Sequence, residues 1–243
     1  VRFIARHALA GTVAIAAALA LAGCTDASPG PSSSPPPSAA PSPSPAATLG
    51  DGPLDEQLFE AVRASDLVLA QLVLEAGQTP DFRIQDRTPL AVAIGRDDLA
   101  MVQLLIDAGA TVASDVGDHI YDAAQTAGPE IIALLLANGS SAVGPEGQEA
   151  AVLATAAFAD NVPAMQALVD AGAPVNGPFL SPRDEVFTPI FAAAYGGSLE
   201  GVKLLIDLGA DPYSPGPDGA TPAEWAAVTG QDDVVDYLAS IGA

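Results

Sequence analysis

TPIFAAAYGGSLEGVKLLIDLGAD, residues 188–211, spells out a pair of short helices. Thr188-Pro189 suits a helix start, because proline at the first helical position has no N–H to leave unsatisfied and its φ is already helical. Ser198 can accept from orphan N–H groups at the start of a second helix. Val202, Leu204, Leu205 and Ile206 supply an apolar stripe, and Gly209 supplies the left-handed residue that ends the helix. The small Ala193 lets the first helix lie close against its neighbours.

The same pattern recurs from residue 54 onward. Aligning on the closing glycine gives Gly77, Gly109, Gly139, Gly172, Gly209 and Gly242, spaced 32, 30, 33, 37 and 33 residues apart. Each copy starts 21 residues before its glycine. Thr88-Pro89-Leu90, Thr188-Pro189-Ile190 and Thr221-Pro222-Ala223 keep the full start. The copies starting at Glu56, Asp118 and Ala151 keep the apolar third residue (Leu58, Ile120, Leu153) and the alanine five after the start (Ala61, Ala123, Ala156). The recurrent capping position is filled by Asp66, Asp98, Asn161 and Ser198.

A period near 33 residues with a TPLHLAA-type start resembles the ankyrin repeat. The expected fold is all-α: a solenoid of about six stacked helix-turn-helix repeats with hairpin loops, with cores at 56–77, 88–109, 118–139, 151–172, 188–209 and 221–242. One helical hairpin cannot bury its apolar face alone, so the copies must stack. Trp225 is expected to pack in the core of the last copy. The connection over 174–187 exceeds the period by about four residues.

Upstream, residues 1–23 read as an export signal. Arg2, Arg6 and His7 precede an apolar run over 8–22 that is short for a membrane span. It ends Leu21-Ala22-Gly23-Cys24, which resembles the lipobox of bacterial lipoproteins. The resemblance implies cleavage before Cys24 and lipidation of that cysteine. Cys24 is also the only cysteine, so no intramolecular disulfide can form. Residues 24–53 follow as a disordered linker, with eight Pro and seven Ser among residues 25–48. Such a tether extends at most ~70 Å at ~3.1 Å per residue. The expected location is the cell membrane, lipid-anchored on the extracytoplasmic face, with residues 54–243 forming the presented repeat domain.

Charge narrows the partners. Residues 54–243 hold 28 Asp and Glu against six Lys and Arg. Phosphate backbones would be repelled, so nucleic acid is excluded as a partner. Steering toward a basic protein is the sharper reading. Little points to an enzyme. No Gly-rich phosphate loop or Ser-centred elbow is present. His119 occupies the proline position of a repeat start and reads as an exposed turn residue. Asp97-Asp98 and Asp232-Asp233 fall at second-helix starts, where capping and the helix dipole account for them. Residues 211–219 lack the alternating ligands of a calcium loop. Neither a cofactor nor a metal is expected.

The resemblance implies binding of a protein partner through hairpin tips and the exposed ends of first helices, by a monomer. Carried onto this sequence, it selects Arg96, Phe158, Asp184, Glu185, Phe187 and Tyr195. The aromatic residues are favoured because aromatics dominate binding hot spots. A second reading is an immunity or chaperone-like role, masking a basic toxin or an exported enzyme. A third is a surface hydrolase or carbohydrate-binding protein, which would place a close carboxylate pair in the groove.

Overall fold

The computed structural model describes residues 48–114, 117–180, 185–216 and 218–243. Cys24, the export signal and nearly all of the proline-rich linker lie outside the described residues, as do Asp115, Arg183 and Asp184.

Twelve helices are described, in six consecutive pairs: α1 (Leu54–Ala64) with α2 (Leu67–Glu75), α3 (Pro89–Ile94) with α4 (Leu99–Asp107), α5 (Ile120–Thr126) with α6 (Pro129–Ala137), α7 (Ala151–Phe158) with α8 (Val162–Asp170), α9 (Pro189–Gly196) with α10 (Leu199–Asp207), and α11 (Pro222–Thr229) with α12 (Asp232–Ser240). First helices pack on first helices, from α1 through α3, α5, α7 and α9 to α11, and second helices pack on second helices in parallel with them. Each pair touches only its sequence neighbours, which is the stacking expected of a repeat solenoid.

The helix ends follow from the cap residues. Asp66, Asp98, Asn161 and Ser198 accept from the N–H groups of Leu69, Met101, Ala164 and Gly201 at 3.0–3.2 Å. Thr221 and Glu224 close a reciprocal capping box on α11. Asp232 and Asp233 do not cap α12. They occupy its first turn, where they complement the helix dipole. All six closing glycines adopt positive φ, from 86° to 105°, and no Cβ could sit there without strain.

The register of each first helix divides its faces. The residues two, five and six after the start are buried in the first five pairs, as in Ile190, Ala193 and Ala194. Ala156 and Ala193 are both fully buried between α7 and α9. Gly196 goes further, since a Cβ there would lie 2.5 Å from the Phe158 carbonyl oxygen. The α7–α9 contact is therefore the closest approach of helix backbones that the sequence permits.

Polar side chains tie successive pairs at equivalent positions. Nine residues after the start, Asp97 and Asp160 adopt left-handed φ of 54° and 57°. Their carboxylates accept from the next pair's capping residue, Gly128 N–H at 2.7 Å and the Ser198 hydroxyl. Four residues after the closing glycine, Asp81 and Asn176 accept the backbone N–H groups of Thr111 and Asp211 at 2.9 and 3.1 Å. His119, expected to be exposed, is tucked in with 17% side-chain exposure, its ring nitrogens 3.4 Å from Thr88 Oγ1 and Asp122 Oδ2.

Two short antiparallel hairpins project between pairs. β1 (Ala113–Ser114) pairs with β2 (Gly117–Asp118). β3 (Phe179–Leu180) pairs with β4 (Val186–Phe187), with Phe179 opposite Phe187. The second hairpin is the form taken by the over-long connection.

Candidate functional site: an aromatic groove

Side chains three, four and seven residues after a helical start share one face. In the first helices this face is only partly buried: the seven position is exposed on α1, α3, α5, α7, α9 and α11 alike, while several residues at the three and four positions are covered. On α3 it carries no aromatic side chain, and on α1 its one aromatic, Phe59, is 6% exposed and belongs to the core. From α5 onward it turns aromatic, with Tyr121 on α5, Phe158 on α7, Phe191 and Tyr195 on α9, and Trp225 on α11. The β3–β4 hairpin brings Phe179 and Phe187 alongside.

The rings form one continuous row. Phe179 lies 5.7 Å from Phe187, Phe187 4.7 Å from Phe191, and Phe191 5.8 Å from Trp225. Trp225 is in turn 5.8 Å from Tyr195, which stacks on Phe158 at 5.8 Å with the ring planes 26° apart. Trp225 thus joins this row rather than the buried core. Phe191 is 4% exposed and anchors the row, whereas Phe158 and Tyr195 are 55% and 42% exposed.

All of the row except Trp225 lines a groove of about 610 Å³ between α5, α7, α9 and the hairpin. Ala151, Ala154 and Ala192 keep its floor low, and Gln125, Gln148 and Thr155 add uncharged polar groups. Among the described residues, none that lines it is an acid, a base, a histidine or a cysteine. Among the described residues there is also no cluster of His, Cys, Asp or Glu able to hold a metal ion.

Of the residues selected from sequence, the fold brings Phe158, Phe187 and Tyr195 into this groove. Glu185 is half-buried at the start of β4 beside it. Arg96 is exposed just past the end of α3 and does not line it. Asp184 lies outside the described residues. Sequence reasoning missed Tyr121, Phe191 and Trp225 as site residues. Their common signal is an aromatic side chain three or four residues after a repeat start, a signal that Phe59 on α1 shares while lying in the core.

Charge is distributed unevenly around the groove. Residues 54–96 hold four of the six Arg and Lys and seven of the 28 Asp and Glu, whereas residues 97–243 hold two and 21. The acidic field is therefore concentrated on the part of the domain that carries the aromatic row. At the turn before α7, the Glu149 carboxylate accepts the Gly147 N–H at 3.0 Å. That bond, with one from its own backbone N–H, holds its carboxyl below the usual value.

The family described as Ankyrin repeats (3 copies) matches residues 119–216 and 153–243. Among solved structures, the human ASB11 ankyrin repeat domain is similar in fold, with a TM-score of 0.62 and 24% identity over 76% of this chain and 82% of that one. No curated protein matches.

Proposed function

The chain belongs to the ankyrin-repeat family, and on that premise we propose that it is an exported, lipid-anchored recognition module whose protein partner docks in the aromatic groove. Ankyrin repeats are a protein-protein interaction scaffold, and the aromatic row is the observation that carries the choice of surface. Phe158 and Tyr195 hold large ring areas open to solvent on a preformed, rigid face, where aromatic anchors are the side chains that dominate binding energy. Stacking has already fixed their rotamers, which lowers the ordering entropy that binding must offset.

The partner is a basic protein. With two cations against 21 acids over residues 97–243, the field around the groove accelerates encounter with positive surfaces and disfavours acidic ones. The Leu21-Ala22-Gly23-Cys24 sequence and the proline-rich linker support presentation from a lipid anchor, at the extracytoplasmic face of a bacterial membrane and as a monomer. Among the described residues no helix is long and apolar enough to cross a membrane.

The same charge asymmetry favours a second reading, an immunity or chaperone-like role that masks one basic toxin or exported enzyme through tight, salt-sensitive binding. Among the described lining residues of the groove there is no carboxylate pair of the kind glycoside hydrolysis uses.

Crosslinking and affinity capture of the lipidated protein from its own cells tests the proposal. Wild type captures a basic protein, and a Phe158→Ala/Tyr195→Ala variant loses it. Equal capture by both would refute the groove as the docking site.

A further inference from the structure

We infer that the segment of the partner that enters the groove is an extended, uncharged, proline-rich stretch in the polyproline II conformation. This rests on the reading of the groove as the partner's site and specifies what occupies it.

Two features of the lining carry the inference. The first is its lack of charge. Although the surrounding domain is strongly acidic, every described side chain lining the groove is aromatic, aliphatic, hydroxyl or amide. A lysine or arginine placed there would be desolvated without a counter-charge. The basic surface of the partner therefore faces the acidic exterior, and what enters is neutral.

The second feature is the balance of hydrogen-bonding groups. A polyproline II segment makes no internal hydrogen bonds, and its prolines carry no N–H, so it presents carbonyl acceptors almost alone. The Gln148 amide and the Tyr195 hydroxyl in the lining, and the indole N–H of Trp225 beside Tyr195 in the row, make no hydrogen bond with another described residue, and all three can donate. A saccharide would present hydroxyl donors as well and would call for carboxylate acceptors, which none of the described lining residues supplies. The shape also agrees. Aromatic-lined grooves take proline rings between their ring edges, and the ligand loses little entropy because its conformation is already extended. Three first helices packed at about 10 Å intervals span the length of some six or seven residues at ~3.1 Å each.

Trp225 is the only tryptophan of the chain, so its emission reports on the row directly. Acetylated decaproline titrated into the full-length protein is expected to shift that emission saturably. Phe158→Ala and Tyr195→Ala weaken the affinity by about tenfold or more, and Gln148→Ala by a few fold. Phe158 and Tyr195 are exposed enough for these variants to fold, which matching far-ultraviolet circular dichroism verifies. A variant lacking residues 28–45 binds decaproline within about twofold of wild type on the same scale. A gain of tenfold in that variant would instead identify the chain's own proline-rich stretch as the occupant and overturn the assignment to a partner. An absent emission change, binding insensitive to Phe158→Ala, or a xylo-oligosaccharide binding where decaproline does not would each overturn the inference. If Tyr195→Ala abolishes partner capture while decaproline neither binds nor competes, only the proline-rich occupant fails. If capture ignores the groove variants, the docking site itself fails.

Discussion

The carboxylate of Asp97 accepts the backbone N–H of Gly128 at 2.7 Å, reaching from the end of α3 to the start of α6 in the next repeat. Its neighbour Asp98 caps α4 within its own repeat. Two adjacent acids, which a search for catalytic pairs would single out, thus perform two separate backbone tasks. Asp160 repeats the first task on Ser198, and Asn161 repeats the second on α8. A charged acceptor on an orphan helical N–H contributes about 1 kcal/mol net. Asp97→Ala should therefore destabilise the domain by about that amount. Asp97→Gly should destabilise it less, because glycine accepts the φ of 54° without strain. Urea denaturation followed by circular dichroism measures both, and an unchanged midpoint for Asp97→Ala would show that the bond contributes nothing.

Gly196 controls the aromatic row from beneath. It lies one residue after Tyr195, and a methyl there would meet the Phe158 carbonyl oxygen at 2.5 Å and its backbone carbons at 3.2 Å. Backbone cannot move aside as a side-chain tip can, so Gly196→Ala must push α9 away from α7. The expected loss of stability is about 1–3 kcal/mol. The same displacement separates the Phe158 and Tyr195 rings, which now lie 5.8 Å apart. Partner capture should fall together with stability, whereas Leu105→Ala, far from the groove in α4, should cost about 3 kcal/mol of stability and leave capture of the folded fraction intact.

Much of this was legible in the sequence because it is written once per repeat. The Thr-Pro starts, the cap residues and the closing glycines each answer a local requirement of the backbone, and local requirements leave local signals. The aromatic groove was harder to read, because it is a property of register between repeats. Phe158 and Tyr195 fall seven residues after their starts and were legible from that position. Phe191 and Trp225 fall three and four after theirs, and they join the row only because α9 and α11 present the same face side by side. Trp225 looked like core because large apolar side chains usually are. In the last pair, however, of the residues two, five and six after the start only Ala226 is buried, and Trp225 packs on Phe191 and Tyr195 of the preceding pair instead. The over-long connection was visible as extra length, but its hairpin depends on Phe179 meeting Phe187 across eight residues.

Glu149 gives the turn before α7 a pH dependence of definite sign. Hydrogen bonds from the Gly147 and Glu149 N–H groups hold its carboxyl below the usual glutamate value of 4.5. A carboxyl with a depressed folded-state value stabilises the fold above its unfolded value and loses that contribution as pH falls through the folded one. Stability should accordingly decline as the pH drops below about 4.5. Glu149→Gln should flatten that decline while being less stable than wild type at neutral pH. Thermal melts across the acidic range compare the two, and parallel curves would dissociate Glu149 from the effect.

The lipid anchor makes the simplest cellular prediction. Cys24 is the single cysteine and follows Leu21-Ala22-Gly23, so Cys24→Ala should abolish incorporation of labelled fatty acid and release the protein from the membrane fraction. One acyl chain binds bilayers only marginally, and stable anchoring takes more than one. A variant that still partitions quantitatively with membranes in detergent extraction would remove the lipid from the account.

The acids at the hairpin separate encounter from residence. Glu185 sits immediately before β4, beside the groove, and Asp184 precedes it in sequence. Glu185 is not among the groove's described lining residues, and in the steering reading both acids contribute to the field through which a basic partner approaches. Long-range charge changes association rates, whereas desolvated anchors set dissociation rates. Asp184→Asn/Glu185→Gln should therefore lower the association rate by a few fold and flatten its dependence on ionic strength, with little change in dissociation. Phe187→Ala should do the reverse, because Phe187 holds the hairpin to the row through Phe179 at 5.7 Å and Phe191 at 4.7 Å. Surface-immobilised kinetics at two salt concentrations resolves the two effects. A charge variant that chiefly accelerates dissociation would mean that these carboxylates are buried against the partner and act as contacts rather than as part of the steering field.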